Sequence, residues 1–435
     1  MLTLHSAALV LPISADPIAD GAVLVDGDRI AAVGTRTALL EANPGVRERA
    51  WGGGAGAGTA GGKQTVLLPG LVNAHAHLQY TDFEELNSIN EPFHIWINLL
   101  TAKRSTFTEA MWQESTRRGL HLMLKSGTTA VADVVTDFGV LQPTARSGIG
   151  GISYLEAVFQ DAQSWSDGGR AALLAGLDGA PAGRAVGVSP HTPYTLSTAV
   201  FADCVAIARE RGLRTHTHIA ESPAEVVYVA KGTGPIAETL TQLGKSMELI
   251  RDGGSGLSVV GYLEKLGVLG PDVHGAHCVH CDGVDRGVMR DRGVYAALCV
   301  RSNRILLAGE PPVADYLREG SPFAIGTDSL ASSPSLDLLE EAAALRDLAR
   351  DQGYLEADLD QRIIAAATVG GAGAMGAAAE SGHLAAGARA DLAVFELPGG
   401  GAGDDPHSAL LDAAGAGSHR CLATILGGTI AHRAA

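Results

Sequence analysis

Short apolar stretches that alternate with polar positions open the chain, in residues 2–11 and again in Gly21-Ala-Val-Leu-Val-Asp-Gly-Asp-Arg-Ile-Ala-Ala-Val-Gly34. Alternation with a period of two predicts strands, and Asp26-Gly27 is placed for a hairpin turn between two of them. From residue 68 the texture changes. Apolar runs (129–134, 185–189, 213–219, 273–278, 294–299 and 323–327) now alternate with amphipathic, Ala/Leu-rich stretches of helical period. Seven or eight such strand-then-helix units over about 310 residues predict a (β/α)8 barrel, a fold that typically takes about 250. Loops such as 232–256 are expected to hold the excess. After residue 381 the pattern returns to short strands, in 382–395 and 423–430. Both chain ends are therefore expected to build one small β-sandwich domain, residues 1–67 with 382–435, beside a barrel of residues 68–381. The glycine-rich segments 52–62 and 399–403 read as surface loops. A phosphate-binding role for the first is disfavoured, because no Gly-Lys-Ser/Thr ending follows it.

Composition narrows the partners. A chain of 435 residues, 46% hydrophobic, can bury a large core, and its net charge of −16 argues against nucleic acid or an anionic membrane surface. A small molecule is the expected partner. Residues 7–13 look superficially like a signal core but lack a preceding basic residue and a small-x-small site. No run of about 18 apolar residues offers a membrane span. Five scattered cysteines (Cys204, Cys278, Cys281, Cys299, Cys421) are not a disulfide framework and point to a reducing cytoplasm. Cys278-Val-His-Cys281 has the spacing of half a zinc knuckle, yet no second pair completes it.

The chemistry gathers where barrel strands end. In Leu68-Pro-Gly-Leu-Val-Asn-Ala-His-Ala-His77, extended backbone puts His75 and His77 on one face. Thr215-His-Thr-His-Ile-Ala-Glu221 places His218 three residues before Glu221, Gly275-Ala-His-Cys-Val-His280 ends a strand at His277, and Gly326-Thr-Asp328 ends the eighth. Three imidazoles and one carboxylate (His75, His77, His218, Asp328) suit a single Zn²⁺ or Fe²⁺ with a position left for water, whose pKa the ion lowers to about 7. Glu221 and His277 are then free for proton transfer. Asp328 also fits a helix N-cap, and alternation leaves His216 as either a ligand or a group behind one. His280 reads as structural.

Pro69-Gly-Leu-Val-Asn-Ala-His-Ala-His77, Ser126-Gly-Thr-Thr129, His218-Ile-Ala-Glu221, His277-Cys-Val-His280, Gly326-Thr-Asp-Ser329 and Gly387-Ala-Arg-Ala-Asp391 together resemble the amidohydrolase superfamily, and more narrowly its deaminase/chlorohydrolase branch. The resemblance runs nearly the whole chain in order. It implies a metal-bearing barrel with a composite β-sandwich, His75, His77, His218 and Asp328 as ligands of one divalent ion, and Glu221, His277 and Asp328 as proton handlers. None of the six lysines falls on a convincing mid-barrel strand, so a carbamylated-lysine dinuclear site is disfavoured. Homodimers are common in the resembled family, and no stretch here specifies an interface.

The expected reaction is hydrolytic removal of an amine from a heteroaromatic ring. Residues 77–83, 93–97, 189–194 and 299–304 resemble nucleoside-type deaminases, especially the aminodeoxyfutalosine deaminases of menaquinone biosynthesis. That resemblance implies an adenine nucleoside bearing a benzoate. Trp96, with Phe93 and Tyr80, is then expected to stack on the ring, His191 to contact ribose or ring, and Arg301 or Arg304 to clamp the carboxylate. Deamination of S-adenosylhomocysteine, methylthioadenosine or adenosine, hydrolysis of guanine or a triazine, and an inactive binding scaffold are the competing readings.

Overall fold

The computed structural model describes residues 2–52, 63–89, 91, 93–245, 247–398 and 405–434. The expected loops at 52–62 and 399–403 therefore lie almost wholly outside the described residues. The remaining terminal segments form one sheet: β1 (Leu2–Val10), β2 (Ile18–Asp26), β3 (Arg29–Thr35), β4 (Arg47–Trp51) and β5 (Gln64–Pro69) from the first part of the chain, joined by three later strands. The β2–β3 hairpin turns at Asp26, Gly27 and Asp28, where Gly27 takes the positive φ that such a turn requires.

One residue, Gly70, separates β5 from the first barrel strand, and there a side chain would collide with Thr129 at 2.1–2.6 Å. Eight parallel strands follow in the order of the chain: β6 (Leu71–Ala76), β7 (Thr128–Val135), β8 (Gly150–Ala157), β9 (Ala185–Pro190), β10 (Thr215–Ile219), β11 (Val273–His277), β12 (Tyr295–Leu298) and β13 (Phe323–Ile325). Helices intervene between strands, as parallel pairing demands. The ring of eight is a TIM-type barrel. Asp328 N donates to His75 O at 3.0 Å, tying the segment after β13 to β6. The terminal sheet then resumes with β14 (Leu392–Leu397), β15 (Arg420–Leu426) and β16 (Thr429–Arg433), with β14 antiparallel to β5.

Barrel strands are buried on both faces, which is why they read as continuous apolar runs rather than alternating ones. The stretch 232–256, expected as loop, instead carries helices Pro235–Gln242 and Glu248–Arg251. Ile236 and Leu240, four residues apart, bury one helical face there.

Candidate metal centre and cavity

His75 and His77 leave the end of β6, His218 lies on β10, and Asp328 follows β13 by three residues. Their side chains converge. The His75, His77 and His218 ring centroids are 4.9–5.4 Å apart, and Asp328 Oδ1 lies 3.6 Å from His75 Nε2 and 3.7 Å from His77 Nε2. These separations exceed a hydrogen bond, yet they approach the ~3.4 Å edge of a tetrahedron with ~2.1 Å ligand bonds. His75 Nε2 is buried and has no hydrogen-bond partner, so the donor set fits a divalent ion. His75, His77 and His218 form one group of atoms able to hold a metal, and His75, His277 and Asp328 another.

A chain of hydrogen bonds behind His75 sets its tautomer. His216 Nδ1 faces the His274 carbonyl at 3.1 Å and must donate to it, so His216 Nε2 is an acceptor. It lies 2.7 Å from His75 Nδ1, which therefore carries the proton and leaves Nε2 free for a metal. His274 stacks on His216 with centroids 3.9 Å apart and donates from Nε2 to Ala74 O, 3.2 Å away. His216 is thus behind the ligand rather than a ligand itself. Asp328 Oδ2 accepts from Ser302 and Ser332 hydroxyls at 2.7 and 2.8 Å, not from helix-start N–H groups, so Oδ1 is left to face the imidazoles.

Glu221 and His277 stand beside this cluster, with Oε1 and Nε2 3.6 Å apart. The Asn303 amide meets His277 Nδ1 at 3.0 Å, and Asn303 Oδ1 is buried with no partner. An amide turned to place its oxygen on His277 Nδ1–H satisfies both groups and points the Nε2 lone pair toward Glu221. Glu225, in the first turn of helix Pro223–Lys231, accepts from Ala220 N and Glu221 N at 3.1 and 2.8 Å and so pins the backbone that carries Glu221. Ala220, His277, Cys278 and Asp328 all hold positive φ of 48–69° without being glycine, a strain that concentrates at this one end of the barrel.

Burial sets the protonation states. It drives His77 and His277 down to about 3, His75 adding to both shifts, and takes His218 and His216 well below the ordinary imidazole value. These rings are neutral, as metal ligands must be. Glu221 is pushed well above the usual carboxyl range by burial and by the charge of Asp328. Asp328 moves the other way: burial would raise it, but the adjacent His75, with His77 and His277, holds it below the ordinary carboxyl value. Two carboxyls in one site are therefore split, one protonated and one ionised.

A cavity of about 380 Å³ opens from the cluster, lined by His77, His218, Glu221, His277 and Asp328 at one end and mainly by apolar and aromatic side chains beyond. Trp96 and His191 line it as well. Arg301 does not. Its guanidinium is taken up by Glu341 (2.6 Å), Glu340 (2.9 Å) and Ser335, and its side chain is buried away from the cavity. The expected carboxylate clamp is corrected on that ground, and Arg304 is likewise paired, with Glu310 at 2.9 Å. The basic residues in the cavity lining are Arg104 and Lys245. Glu156, on β8, also lines it; the Gly150-Gly151 start of that strand breaks the apolar run by which its neighbours are read.

Residues 66–429 match the profile of the amidohydrolase family, and residues 21–45 that of a bacterial imidazolonepropionase-like composite domain. A 5-methylthioadenosine/S-adenosylhomocysteine deaminase of Natronomonas pharaonis is 31% identical over 80% of this chain and 77% of its own length. Among solved structures, Helicobacter pylori aminofutalosine deaminase superposes with a TM-score of 0.81 at 19% identity, covering 99% of this chain and 100% of its own. An adenosine deaminase from Xanthomonas campestris, solved with bound zinc, gives 0.78 at 22% identity, over 98% of this chain and 92% of that one.

Proposed function

The chain belongs to the amidohydrolase family, and from that premise we propose that it is a metal-dependent hydrolase removing the exocyclic amine of adenine-type nucleosides. The observation that carries this reading is the pairing, at one end of a 380 Å³ cavity, of a three-imidazole, one-carboxylate cluster with a protonated Glu221. His75, His77, His218 and Asp328 are the proposed ligands, and Zn²⁺ is the proposed ion. When bound there it would acidify water and so supply a hydroxide nucleophile at neutral pH.

The remaining work falls to the chain's own groups. Glu221 gives its proton to the ring nitrogen beside the amine-bearing carbon, which makes that carbon electrophilic. His277, with its Nε2 lone pair toward Glu221, takes a proton from the attacking water. Asp328, ionised, shares that task, and Asp328 or Glu221 returns a proton to the departing ammonia. Trp96 and Tyr80 wall the cavity on which a purine would stack, and the apolar lining excludes water.

Within this class our finer reading is aminodeoxyfutalosine, and with it a place in menaquinone biosynthesis. The full-length likeness to the Helicobacter pylori enzyme supports it, as do the apolar depth of the cavity and the cations Arg104 and Lys245 in its lining, which replace Arg301 as partners for a remote carboxylate. A second reading, methylthioadenosine or S-adenosylhomocysteine, is favoured by the name of the 31% identical relative. We take residues 68–381 as the catalytic unit and 1–67 with 382–435 as a second unit, working as a cytoplasmic enzyme, homodimers being the family habit. Among the described residues no helix is long and apolar enough to cross a membrane, and all five cysteines are buried and free. Ammonia release by metal-loaded protein, measured on aminodeoxyfutalosine, S-adenosylhomocysteine, methylthioadenosine and adenosine, separates the two readings. Preference for the benzoate-bearing nucleoside supports the first, preference for the thio-nucleosides the second, and silence on all four refutes both.

A further inference from the structure

Glu156 is a buried carboxylate that the reaction above leaves unused. Its side chain is 3% exposed and lines the cavity. Its bonding is polarised by a fixed chain. Gln79 Oε1 accepts from the backbone N–H groups of Thr136 and Asp137 at 3.2 and 3.1 Å, which fixes the amide so that Gln79 Nε2 donates to Thr136 Oγ1 at 2.8 Å. Tyr80 OH lies 3.1 Å from the same oxygen. The single hydroxyl proton of Thr136 is thereby directed to Glu156 Oε2, at 2.9 Å, and that oxygen is an acceptor.

The other oxygen is unpaired. Glu156 Oε1 is buried without a hydrogen-bond partner, 4.0 Å from His191 Nε2 and too far from it to bond. His191 Nδ1 is occupied by Thr195 Oγ1 at 2.9 Å, and burial, with His77 adding to it, holds the ring neutral, down to about 3. In the tautomer whose Nδ1–H donates to Thr195 Oγ1, Nε2 is a second acceptor facing the same gap. Two acceptors about one hydroxyl apart, on a cavity wall, call for two neighbouring donors. A buried acceptor left unmet is costly, so a ligand lacking those donors is rejected.

We propose that Glu156, flanked by His191, receives the vicinal 2′- and 3′-hydroxyls of the substrate's ribose and makes the enzyme selective for ribonucleosides over deoxyribonucleosides. The proposal rests on the nucleoside reading above. Glu156 is a specificity residue and takes no part in proton transfer to the ring. Burial raises its carboxyl against the pull of Arg104, and hydroxyl donors that reach Oε1 favour its ionised form.

The test compares kcat/KM for adenosine and 2′,3′-dideoxyadenosine in wild type, E156A and E156Q, each checked for metal content and thermal unfolding. Wild type is expected to prefer adenosine on the order of 100-fold, and E156A to collapse that ratio toward unity, mainly through KM. E156Q, which keeps the side chain's shape, is expected to fall between them and serves if E156A does not fold. A wild-type ratio below about threefold, or a ratio unchanged in both variants, overturns the proposal while leaving nucleoside deamination standing. No ammonia from any of aminodeoxyfutalosine, adenosine, methylthioadenosine and S-adenosylhomocysteine overturns both. A second equivalent of zinc, bound by wild type and lost in E156Q, also overturns it, since Glu156, His191 and His218 present ligand atoms within 4.8 Å of one another and would then belong to a metal.

Discussion

At the scale of single residues the site is a set of decisions about where protons sit. Glu221, protonated by burial beside ionised Asp328, is the group whose loss should separate chemistry from assembly. Glu221→Gln is expected to bind metal as wild type does while kcat falls by roughly 10²–10⁴, the range a positioned general acid supplies; near-normal turnover would remove its role. His216 acts one step back, through the 2.7 Å bond that fixes the His75 tautomer. Replacing it with Phe leaves His75 Nδ1–H unpaired, and zinc affinity measured by chelator competition should weaken about 10–100-fold. The His-x-His pair, His218, Glu221, His277 and Asp328 could be read from the sequence because each ends an apolar strand. Alternation leaves His216 open as a ligand or a group behind one, whereas Asn303, Glu156 and the stacking of His274 on His216 could not be read, since each matters only through a partner far away along the chain.

At the scale of elements, the ends of β6, β10, β11 and β13 do the positioning, and the segments after them are held by buried polar links. Asn73 on β6 bonds Thr327 beyond β13 twice, at 2.7 and 3.2 Å, and its Oδ1 also accepts from His75 N. Between them Gly326 allows the approach: a Cβ there would lie 2.7 Å from that of His75 and 2.9 Å from Cys299 Sγ. The Val300–Ile305 helix is held from the other side by Arg301. Its partner Glu341 is fully buried, so Arg301→Ala strands an unpaired charge and should destabilise the fold by about 3–5 kcal/mol in denaturant titration. Its loss should not distinguish carboxylated from neutral nucleosides; a selective loss would restore the clamp expected from sequence. An arginine after a barrel strand looks the same in sequence whether it faces ligand or the carboxylates of a later helix. For the same reason β8, opened by two glycines, and the helices within 232–256 were the least legible elements.

At the scale of the molecule, the terminal sheet and the barrel are joined through Gly70, whose N–H donates to Asp391 O at 2.9 Å, and through Thr424 Oγ1, which donates to Leu124 O. Periodicity alone gives this layout, alternating at both ends and βα in the middle, because each architecture buries its strands differently. His5, in the terminal sheet, is fully buried and accepts from Trp51 Nε1 at 3.3 Å; burial, with Arg49 adding to it, lowers its pKa to about 4. The unfolded chain takes up this proton near pH 6.5 and the folded one only near 4, so the fold loses stability as pH falls through that window. His5→Gln should remove about one proton from the pH dependence of unfolding between pH 6.5 and 4 and leave metal binding alone.

The central claim is that one divalent ion in this cluster serves hydrolysis of an adenine nucleoside's amine. It is tested most directly by titrating Zn²⁺ into metal-stripped protein while following ammonia release from adenosine, methylthioadenosine, S-adenosylhomocysteine and aminodeoxyfutalosine. Activity that rises linearly and breaks at one equivalent, on at least one of these nucleosides, is the predicted result. Full activity in the stripped protein, a break at two equivalents, or no ammonia from any of them would contradict it.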